Sequence, residues 1–362
     1  MTRNNRPHRL VGPFVTNSPE AQSAHTSVPL SVLDLVPVSE GMTRSAAFDE
    51  TRTLAAQVDR LGYERLWVAE HHGSTTFMAS ATSVILGDLA HHTSGIRLGS
   101  GGVMLPNHAP LMVAEYYGTL ATLYGDRFDL GIGRAPGTDP MTAAALRRGN
   151  PDLNGFASDV VAIIDLLGDA RSLPGGVRAI PGEETRVPVW MLGSSTGGAQ
   201  VAAALGLPYS FASHFAPQQI REALAVYRDG FDASVRTAQI EQPRVMAGVN
   251  VLIADTRAEA ERRFTTSQQM RVHLRTGQLG PLLPPVDDLS TVLPEGALEF
   301  AGRPDGPATF VGTAEQVRDG LQGFVDDYEL DEVIVTTYTY DPAHRRESYD
   351  ALAQVWGLTA RD

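Results

Sequence analysis

The residues best suited to acid–base chemistry are two histidines that follow an apolar segment. Glu70, His71 and His72 come directly after residues 65–69, a run that indicates a β-strand. Neighbouring residues of an extended chain point to opposite sides, so one imidazole can face a pocket while the other packs outward. An imidazole titrates near neutral pH and can therefore move a proton in catalysis. Two histidines with purely structural hydrogen bonds are the alternative interpretation.

A metal site is the less favoured interpretation of this histidine pair. The chain contains no His-Glu-x-x-His motif, and no further His or carboxylate cluster stands at the usual ligand spacing. We therefore predict that the protein binds no metal.

Glycines gather in the next apolar segment, residues 96–103, which is the third predicted strand. Gly99, Gly101 and Gly102 all lie within it. Glycine weakens a strand unless another group has to come close to the backbone. Tight packing inside the fold and a flat ligand lying against bare main chain are both consistent with this pattern.

Two later segments could bind a phosphate group. Arg134 follows the fourth predicted strand, residues 128–132, and a guanidinium matches phosphate oxygens bidentately. Gly193, Ser194 and Ser195 stand between the fifth predicted strand and a helix, where small hydroxyl residues and free amides can form a phosphate cradle. A surface salt bridge for the arginine and plain helix capping for the serines are the alternatives.

The composition excludes several kinds of chemistry. The chain contains no Cys and no Lys, which excludes disulfides, thiolate nucleophiles, Cys-ligated metals and Schiff bases. Its formal net charge of −13 argues against nucleic acid or an anionic membrane as a partner. No apolar run approaches the roughly 18 residues that span a membrane. Residues 1–27 are polar and lack a signal-peptide pattern, so we expect a disordered tail there and a cytoplasmic protein.

Eight short apolar segments, separated by segments of helical periodicity, must position these residues. Ser45 is the expected N-cap of the first helix. The regular alternation of strands and helices, without an all-helical or all-β block, predicts a protein of the α/β class. We expect a single (β/α)8 TIM barrel over residues 28–362, with its active site at the carboxyl ends of the strands. An open doubly wound sheet is the rival fold, but no Gly-rich dinucleotide turn follows the first strand. The predicted strands are residues 30–36, 65–69, 96–103, 128–132, 187–192, 209–212, 244–253 and 332–337.

One stretch breaks the alternation. Residues 276–307 contain many Gly and Pro residues and little periodicity. Long loops of this kind in a compact domain are typically lids or disordered. We predict a lid that reaches the mouth of the barrel.

Taken in order, these segments resemble the bacterial luciferase-like family of flavin-dependent monooxygenases. The strongest element of the resemblance is Glu70-His71-His72. Further elements are the small residues followed by Leu105-Pro106 after the third strand, the Asp-Arg-Phe entry to the fourth strand, and similar segments at residues 193–208 and 310–317. The resemblance covers nearly the whole chain after residue 27.

The resemblance implies roles for individual residues. His71 matches the catalytic histidine, and Gly101 and Gly102 match two small residues joined by a non-prolyl cis peptide beside the flavin ring. Arg134 matches an arginine on the flavin phosphate. Ser195, with Gly193 and Ser194 beside it, matches a phosphate-binding serine. One departure is Gly133, where luciferases carry a reactive cysteine, and this puts light emission and an aldehyde substrate in doubt.

The function implied by the resemblance is that of a two-component monooxygenase. Such an enzyme takes reduced FMN from a separate flavin reductase and uses O2 to oxygenate an organic small molecule through a flavin hydroperoxide, here in secondary metabolism. The resemblance also implies a homodimer formed through the helices at residues 79–92 and 110–124. A deazaflavin-dependent dehydrogenase on the same barrel and a non-catalytic flavin-binding protein are the alternatives.

Overall fold

The structure is a computed structural model that describes residues 28–135, 137–146, 155–169 and 175–361, and the expected N-terminal tail lies outside these ranges. Within them the strands are β1 (Leu30–Asp34), β2 (Arg65–Val68), β3 (Arg97–Ser100), β4 (Val103–Met104), β5 (Phe128–Gly133), β6 (Val189–Gly193), β7 (Tyr209–Phe211), β8 (Val245–Ile253), β9 (Thr309–Gly312) and β10 (Glu332–Thr336). The α-helices are α1 (Arg44–Arg60), α2 (Thr82–Ala90), α3 (Pro110–Tyr124), α4 (Pro140–Ala145), α5 (Phe156–Leu167), α6 (Thr196–Ala204), α7 (Ile220–Gly230), α8 (Arg257–Thr276), α9 (Ala314–Tyr328) and α10 (Pro342–Trp356).

Eight parallel strands close into a barrel, which confirms the predicted fold and excludes the open sheet. Hydrogen bonding runs in the order β10, β1, β2, β3, β5, β6, β7, β8, and the pairing of β8 with β10 closes the ring. The short strand β4 pairs with β5 beyond β3, and β9 pairs with the carboxyl end of β8. Because all barrel strands run in one direction, their carboxyl ends share one face, which we call the barrel mouth.

The opposite end of the barrel interior is held by buried ion pairs. Arg65, at the start of β2, lies 2.6 Å from a carboxylate oxygen of Asp129 and 2.6 Å from one of Glu332. The indole N–H of Trp67 donates to Asp129 at 3.2 Å. Because both carboxylates are buried, each needs the arginine as a counter-charge. Apolar side chains, among them Leu33 and Ile334, fill the interior above this network.

The differences from the predicted elements are local. The N-cap of α1 is Thr43 and not Ser45, because the Thr43 hydroxyl accepts a hydrogen bond from the Ala46 N–H at 3.1 Å. The third predicted strand is broken into β3 and β4 at Gly101 and Gly102. The elements β9 and α4 were not predicted from the sequence. In the described ranges, every helix is too short or too polar to cross a membrane.

The segment predicted as a lid follows α8 and reaches the barrel mouth. It contains two short 3-10 helices, Leu289–Thr291 and Glu295–Phe300. The N–H of Leu282 donates to the Val38 carbonyl at 2.7 Å, and the Leu282 carbonyl accepts from the Glu40 N–H at 2.9 Å. Val38 and Glu40 follow the carboxyl end of β1, so these bonds attach the segment to the mouth. Its opening and closing stay a prediction.

Candidate active site

His71 lies at the barrel mouth, in the turn after β2. Its backbone N–H donates to the Ala79 carbonyl at 2.7 Å, which fixes the turn. Its ring centroid lies 5.7 Å from that of Phe77, which in turn lies 5.8 Å from the ring of Tyr338. Burial lowers the pKa of His71, and a hydrogen bond to the backbone of Gly137 offsets this shift only in part. The neutral imidazole, which can accept a proton, is therefore favoured at neutral pH.

His72 points away from His71, as expected for adjacent residues. Its Nε2 lies 2.9 Å from Oε1 of Glu70, and Nε2 of His108 lies 2.8 Å from the same oxygen. The N–H of Met104 donates to the other Glu70 oxygen at 3.3 Å. Burial would raise the pKa of Glu70, but the hydrogen bonds with His108 and His72 outweigh burial and lower it. Glu70 therefore ties the turn that carries His71 to the segment that follows β3.

The carboxylate and the two imidazoles are also residue types that bind cations. Their ligand atoms lie within 4.8 Å of one another. Sequence spacing did not reveal this cluster because His108 comes from a different loop. The Nε2–Oε1 distances of 2.8 and 2.9 Å are those of charge-assisted hydrogen bonds, so we interpret the cluster as a hydrogen-bond network. The expected absence of a bound metal stays a prediction.

The glycines of the third predicted strand allow β3 and β5 to approach closely. A Cβ atom on Gly99 would lie 2.7 Å from the Asp129 carbonyl oxygen. One on Gly102 would lie 2.9 Å from the Gly131 carbonyl oxygen, and one on Gly101 would meet a β1 side chain at 2.5 Å. A non-prolyl cis peptide joins Gly101 and Gly102, as the resemblance implied. Packing alone thus accounts for these glycines, and their contact with a flavin ring stays a prediction.

Arg134 and the first turn of α6 come together at the same mouth. A Cβ atom built on Gly197 would lie 3.2 Å from Nη2 of Arg134. Arg134 is exposed and has no ion pair with any residue in the described ranges, so the salt-bridge alternative has no support. Ser195 is the N-cap of α6, yet its side chain makes no capping hydrogen bond. A cation beside free amides at a helix N-terminus is an arrangement that fits a phosphate.

Gly193 and Ser194 complete this candidate phosphate cradle, whose role stays a prediction. A Cβ atom on Gly193 would lie 3.3 Å from the Cα atom of Gly198, so the absence of a side chain lets α6 begin close to β6. Ser194 and Ser195 are half-buried between the strand and the helix. The structure therefore brings Arg134 to the first turn of α6, which begins directly after the three residues named from the sequence, although Arg134 follows a different strand.

Three further residues at the barrel mouth were not identified from the sequence. His214 follows β7, Arg271 lies in α8, and Tyr338 follows β10. Burial, together with the nearby positive charges of Arg271 and His71, lowers the pKa of His214 to about 4. His214 and Tyr338 could have been identified from the sequence, because each comes just after a strand. Arg271 offered no such signal, because the buried face of α8 is largely polar and shows little apolar periodicity.

Comparison with known proteins shows one family over most of the chain. The profile of the luciferase-like monooxygenase family matches residues 28–328. A curated luciferase-like monooxygenase of Escherichia coli (strain K12) is 42% identical over 330 residues, which cover 91% of this chain and 97% of that protein. The crystal structure of apo-MsnO8 is similar with a TM-score of 0.81 at 35% identity, covering 92% of this chain and 100% of MsnO8.

More distant solved structures share the fold alone. The oxygenating constituent of 3,6-diketocamphane monooxygenase from Pseudomonas putida, a type II Baeyer–Villiger monooxygenase in complex with FMN, has a TM-score of 0.65 at 15% identity and covers 91% of this chain and 97% of its own. An F420-dependent secondary alcohol dehydrogenase has a TM-score of 0.64 at 12% identity, covering 93% of this chain and 100% of its own. The same barrel thus serves enzymes that use either cofactor.

Proposed function

The chain belongs to the luciferase-like monooxygenase family, and on that premise we propose that it is a two-component, FMN-dependent monooxygenase. In this reaction class a separate flavin reductase supplies reduced FMN, and one atom of O2 is inserted into an organic small molecule. The observation that carries the proposal is the pairing of a candidate phosphate cradle with a half-buried, neutral histidine at one barrel mouth.

The cradle fits the terminal phosphate of FMN. Arg134 supplies a guanidinium with no counter-charge among the described residues, and the first turn of α6 supplies amide N–H groups. Gly193, Ser194 and Ser195 would line the phosphate. The isoalloxazine ring would then extend toward Gly101 and Gly102. Reduced FMN, when bound, supplies the electrons that activate O2.

His71 would act as the acid–base group. The backbone of Gly137 engages one ring nitrogen, which leaves the other free to take or return a proton. The aromatic rings of Phe77 and Tyr338 beside it keep this part of the mouth apolar. The segment after α8 would exclude water while the reaction proceeds.

The proposal includes two partners. The sequence has no dinucleotide fingerprint after its first strand, so a separate reductase is the expected electron source. A second copy of the chain is the other partner, which would dock on the outer faces of α2 and α3. Large apolar side chains are exposed on these two helices: Val84, Met112, Tyr116 and Leu123. We place the enzyme in the cytoplasm and in secondary metabolism, as its composition and family suggest.

A deazaflavin-dependent dehydrogenase is the alternative function, because F420 enzymes share this fold. Anaerobic titration of the protein with reduced FMN and, separately, reduced F420 distinguishes the two. We expect reduced FMN to bind and raise the melting temperature, and reduced F420 to do neither. Readmitted O2 should then give a spectrum that differs from a mixture of reduced and oxidised FMN. Preferential binding of reduced F420 would contradict the proposal, and binding of FMN without any reaction with O2 would favour a non-catalytic flavin-binding protein.

A further inference from the structure

Arg271 is a half-buried cation that lacks an acidic partner among the residues the structure describes. Its guanidinium carbon lies 5.3 Å from the ring centre of Phe264. On another side it lies against Gly302, where a Cβ atom would come within 2.5 Å of Nη1. Burial removes part of the hydration of the charged form and lowers the pKa of Arg271. Such a group is unfavourable unless an anion restores the lost interactions.

His214 and Tyr338, the described side chains that face Arg271, are not acidic. The charges that act on His214 are those of Arg271 and His71. Nδ1 of His214 is buried against Gly248, where a Cβ atom would lie 2.2 Å from it, and it has no hydrogen-bond partner among the described residues. The pKa of Tyr338 is raised by burial, so its hydroxyl stays protonated and can donate. Asp34, the carboxylate that interacts with Tyr338, is already ion-paired with Arg345 at 2.9 Å.

At the other end of the barrel interior, the arginines are paired with carboxylates. There Arg65 and Arg97 share Asp129, and Arg65 and Arg244 share Glu332, so the buried guanidinium of Arg65 and the two partly exposed ones beside it each face a carboxylate. In a chain of net charge −13, acids are abundant, yet none stands beside Arg271 in the described ranges. Among the described residues no carboxylate completes the site at the mouth, which leaves it open to an external anion.

The cofactor phosphate is not this anion. Arg134 and the first turn of α6 already form a cradle between β5 and β6, whereas Arg271 belongs to α8, which follows β8. Phe77 and Tyr338 belong to one apolar cluster with Met270, the residue before Arg271. A molecule bound beside Arg271 would present its apolar body to these aromatic rings and its charged end to the arginine.

We propose that Arg271 is a substrate-binding residue, and that the organic substrate carries a carboxylate which Arg271 binds with His214 and Tyr338 as further hydrogen-bonding groups. This assignment rests on the proposed function, because it takes the mouth beside His71 as the place of reaction. An arginine–carboxylate pair in a partly desolvated site would hold the substrate in one orientation, with the opposite end toward His71.

The test uses a matched pair of ligands and needs no cofactor. The full-length protein is titrated with benzoate and with benzamide, which have similar shapes and differ in charge, and binding is followed by ligand-observed NMR. We expect benzoate to bind at least about 10-fold more tightly than benzamide, the usual weight of a charge-assisted pair. Equal affinities for the two ligands, or no detectable binding of benzoate, would overturn the proposal.

Variants test whether the preference for benzoate over benzamide depends on Arg271. Arg271→Gln should reduce the benzoate preference to within about two-fold, whereas Arg271→Lys, which keeps the charge, should retain part of it. Arg275→Gln is the matched control, because Arg275 is exposed on the same helix and stacks on Phe300 at 5.5 Å. A preference that persists in Arg271→Gln would overturn the assignment. Circular dichroism of each variant separates a lost site from a lost fold.

The proposed function and the anion site can fail separately. Arg134→Gln should lose affinity for FMN and keep the full benzoate preference, which also shows that benzoate does not occupy the phosphate cradle. If wild-type protein fails to bind reduced FMN while its benzoate preference still depends on Arg271, the proposed function is wrong and the anion site stands. If FMN binds normally and the preference is missing, the substrate assignment alone is wrong.

Discussion

The guanidinium of Arg134 lies against the first turn of a helix that begins far along the chain: a Cβ atom on Gly197 would come within 3.2 Å of its Nη2. The closure of the barrel creates this contact, since β5 and β6 are adjacent and Arg134 and α6 follow their carboxyl ends. Gly197 leaves room for the arginine beside the first turn of the helix.

Replacing Arg134 tests the phosphate cradle. Arg134→Gln should weaken FMN binding by about 10- to 100-fold, the usual weight of hydrogen bonds to a charged group. Riboflavin, which has no phosphate, should bind wild type and variant equally. Fluorescence titration measures both constants. Arg318→Gln, at an exposed arginine paired with Asp319, is the control and should leave both unchanged. An equal loss of riboflavin affinity would show that Arg134 does not act through the phosphate.

Replacing His71 tests the acid–base role. His71→Ala should leave FMN binding within a few fold and lower product formation by about 100-fold, with hydrogen peroxide released instead. His92→Ala, at an exposed histidine, is the control. Normal coupling in His71→Ala would remove this residue from the mechanism.

The pH dependence of the reaction follows from the lowered pKa of His71. Because burial lowers that pKa, the neutral imidazole persists below the ordinary histidine value of about 6.5. If the neutral form accepts the proton, activity should be constant near neutral pH and fall as the pH drops through the lowered pKa. The acidic limb of the kcat profile should disappear in His71→Ala. A limb centred above about 6.5 would contradict a neutral, buried His71.

The buried ion pairs at the end of the barrel opposite the mouth should be essential for stability. Glu332→Gln removes one of the two buried carboxylates that face Arg65 and leaves Asp129 as the other, so we expect a loss of up to about 3–5 kcal/mol, the cost of breaking a buried ion pair. Urea denaturation measures the free energy of unfolding. Glu64→Gln is a close control, since Glu64 lies 3.8 Å from the same arginine but is 39% exposed, and it should have little effect. Equal effects of the two changes would argue against burial as the cause.

Close contact between β3 and β5 should make Gly131 intolerant of any side chain. A Cβ atom at Gly131 would lie 2.0 Å from the Ser100 carbonyl oxygen, so Gly131→Ala forces the two strands apart. We expect a loss of about 3 kcal/mol in the free energy of unfolding, or no folded protein at all. Gly280→Ala, where a Cβ atom meets nothing within 4 Å, should be neutral in the same measurement.

The proposed homodimer predicts that charge on the outer faces of α2 and α3 separates the subunits. Light scattering of the wild type at micromolar concentration should give twice the monomer mass. Val84→Glu combined with Leu123→Glu should give the monomer mass, because both side chains are large, apolar and exposed. Val177→Glu, at an exposed apolar residue outside these helices, should leave the dimer intact. A monomeric wild type would refute this assembly.

The fold and the position of His71 could be predicted from the sequence because they depend on local patterns. Each barrel strand is a short apolar run whose residues are buried on both faces, as in β1 and β10, and such runs stand out from the helices between them. In a closed parallel barrel the residue after a strand lies at the mouth wherever the strand falls in the chain. His71, Arg134 and Ser195 could be placed at one end for that reason alone.

The partners of these residues were decided only by the tertiary structure. His108 approaches Glu70 because the segment after β3 folds back over the turn after β2, and no spacing in the sequence encodes that distance. Arg271 lies in a helix whose buried face is polar, so its half-buried state, without an acidic partner in the described part of the chain, depends on which side chains the barrel places around it. Hydrophobic periodicity records which face of an element is buried, whereas charge pairing depends on distances of a few ångströms between distant segments, and these exist only once the barrel has closed.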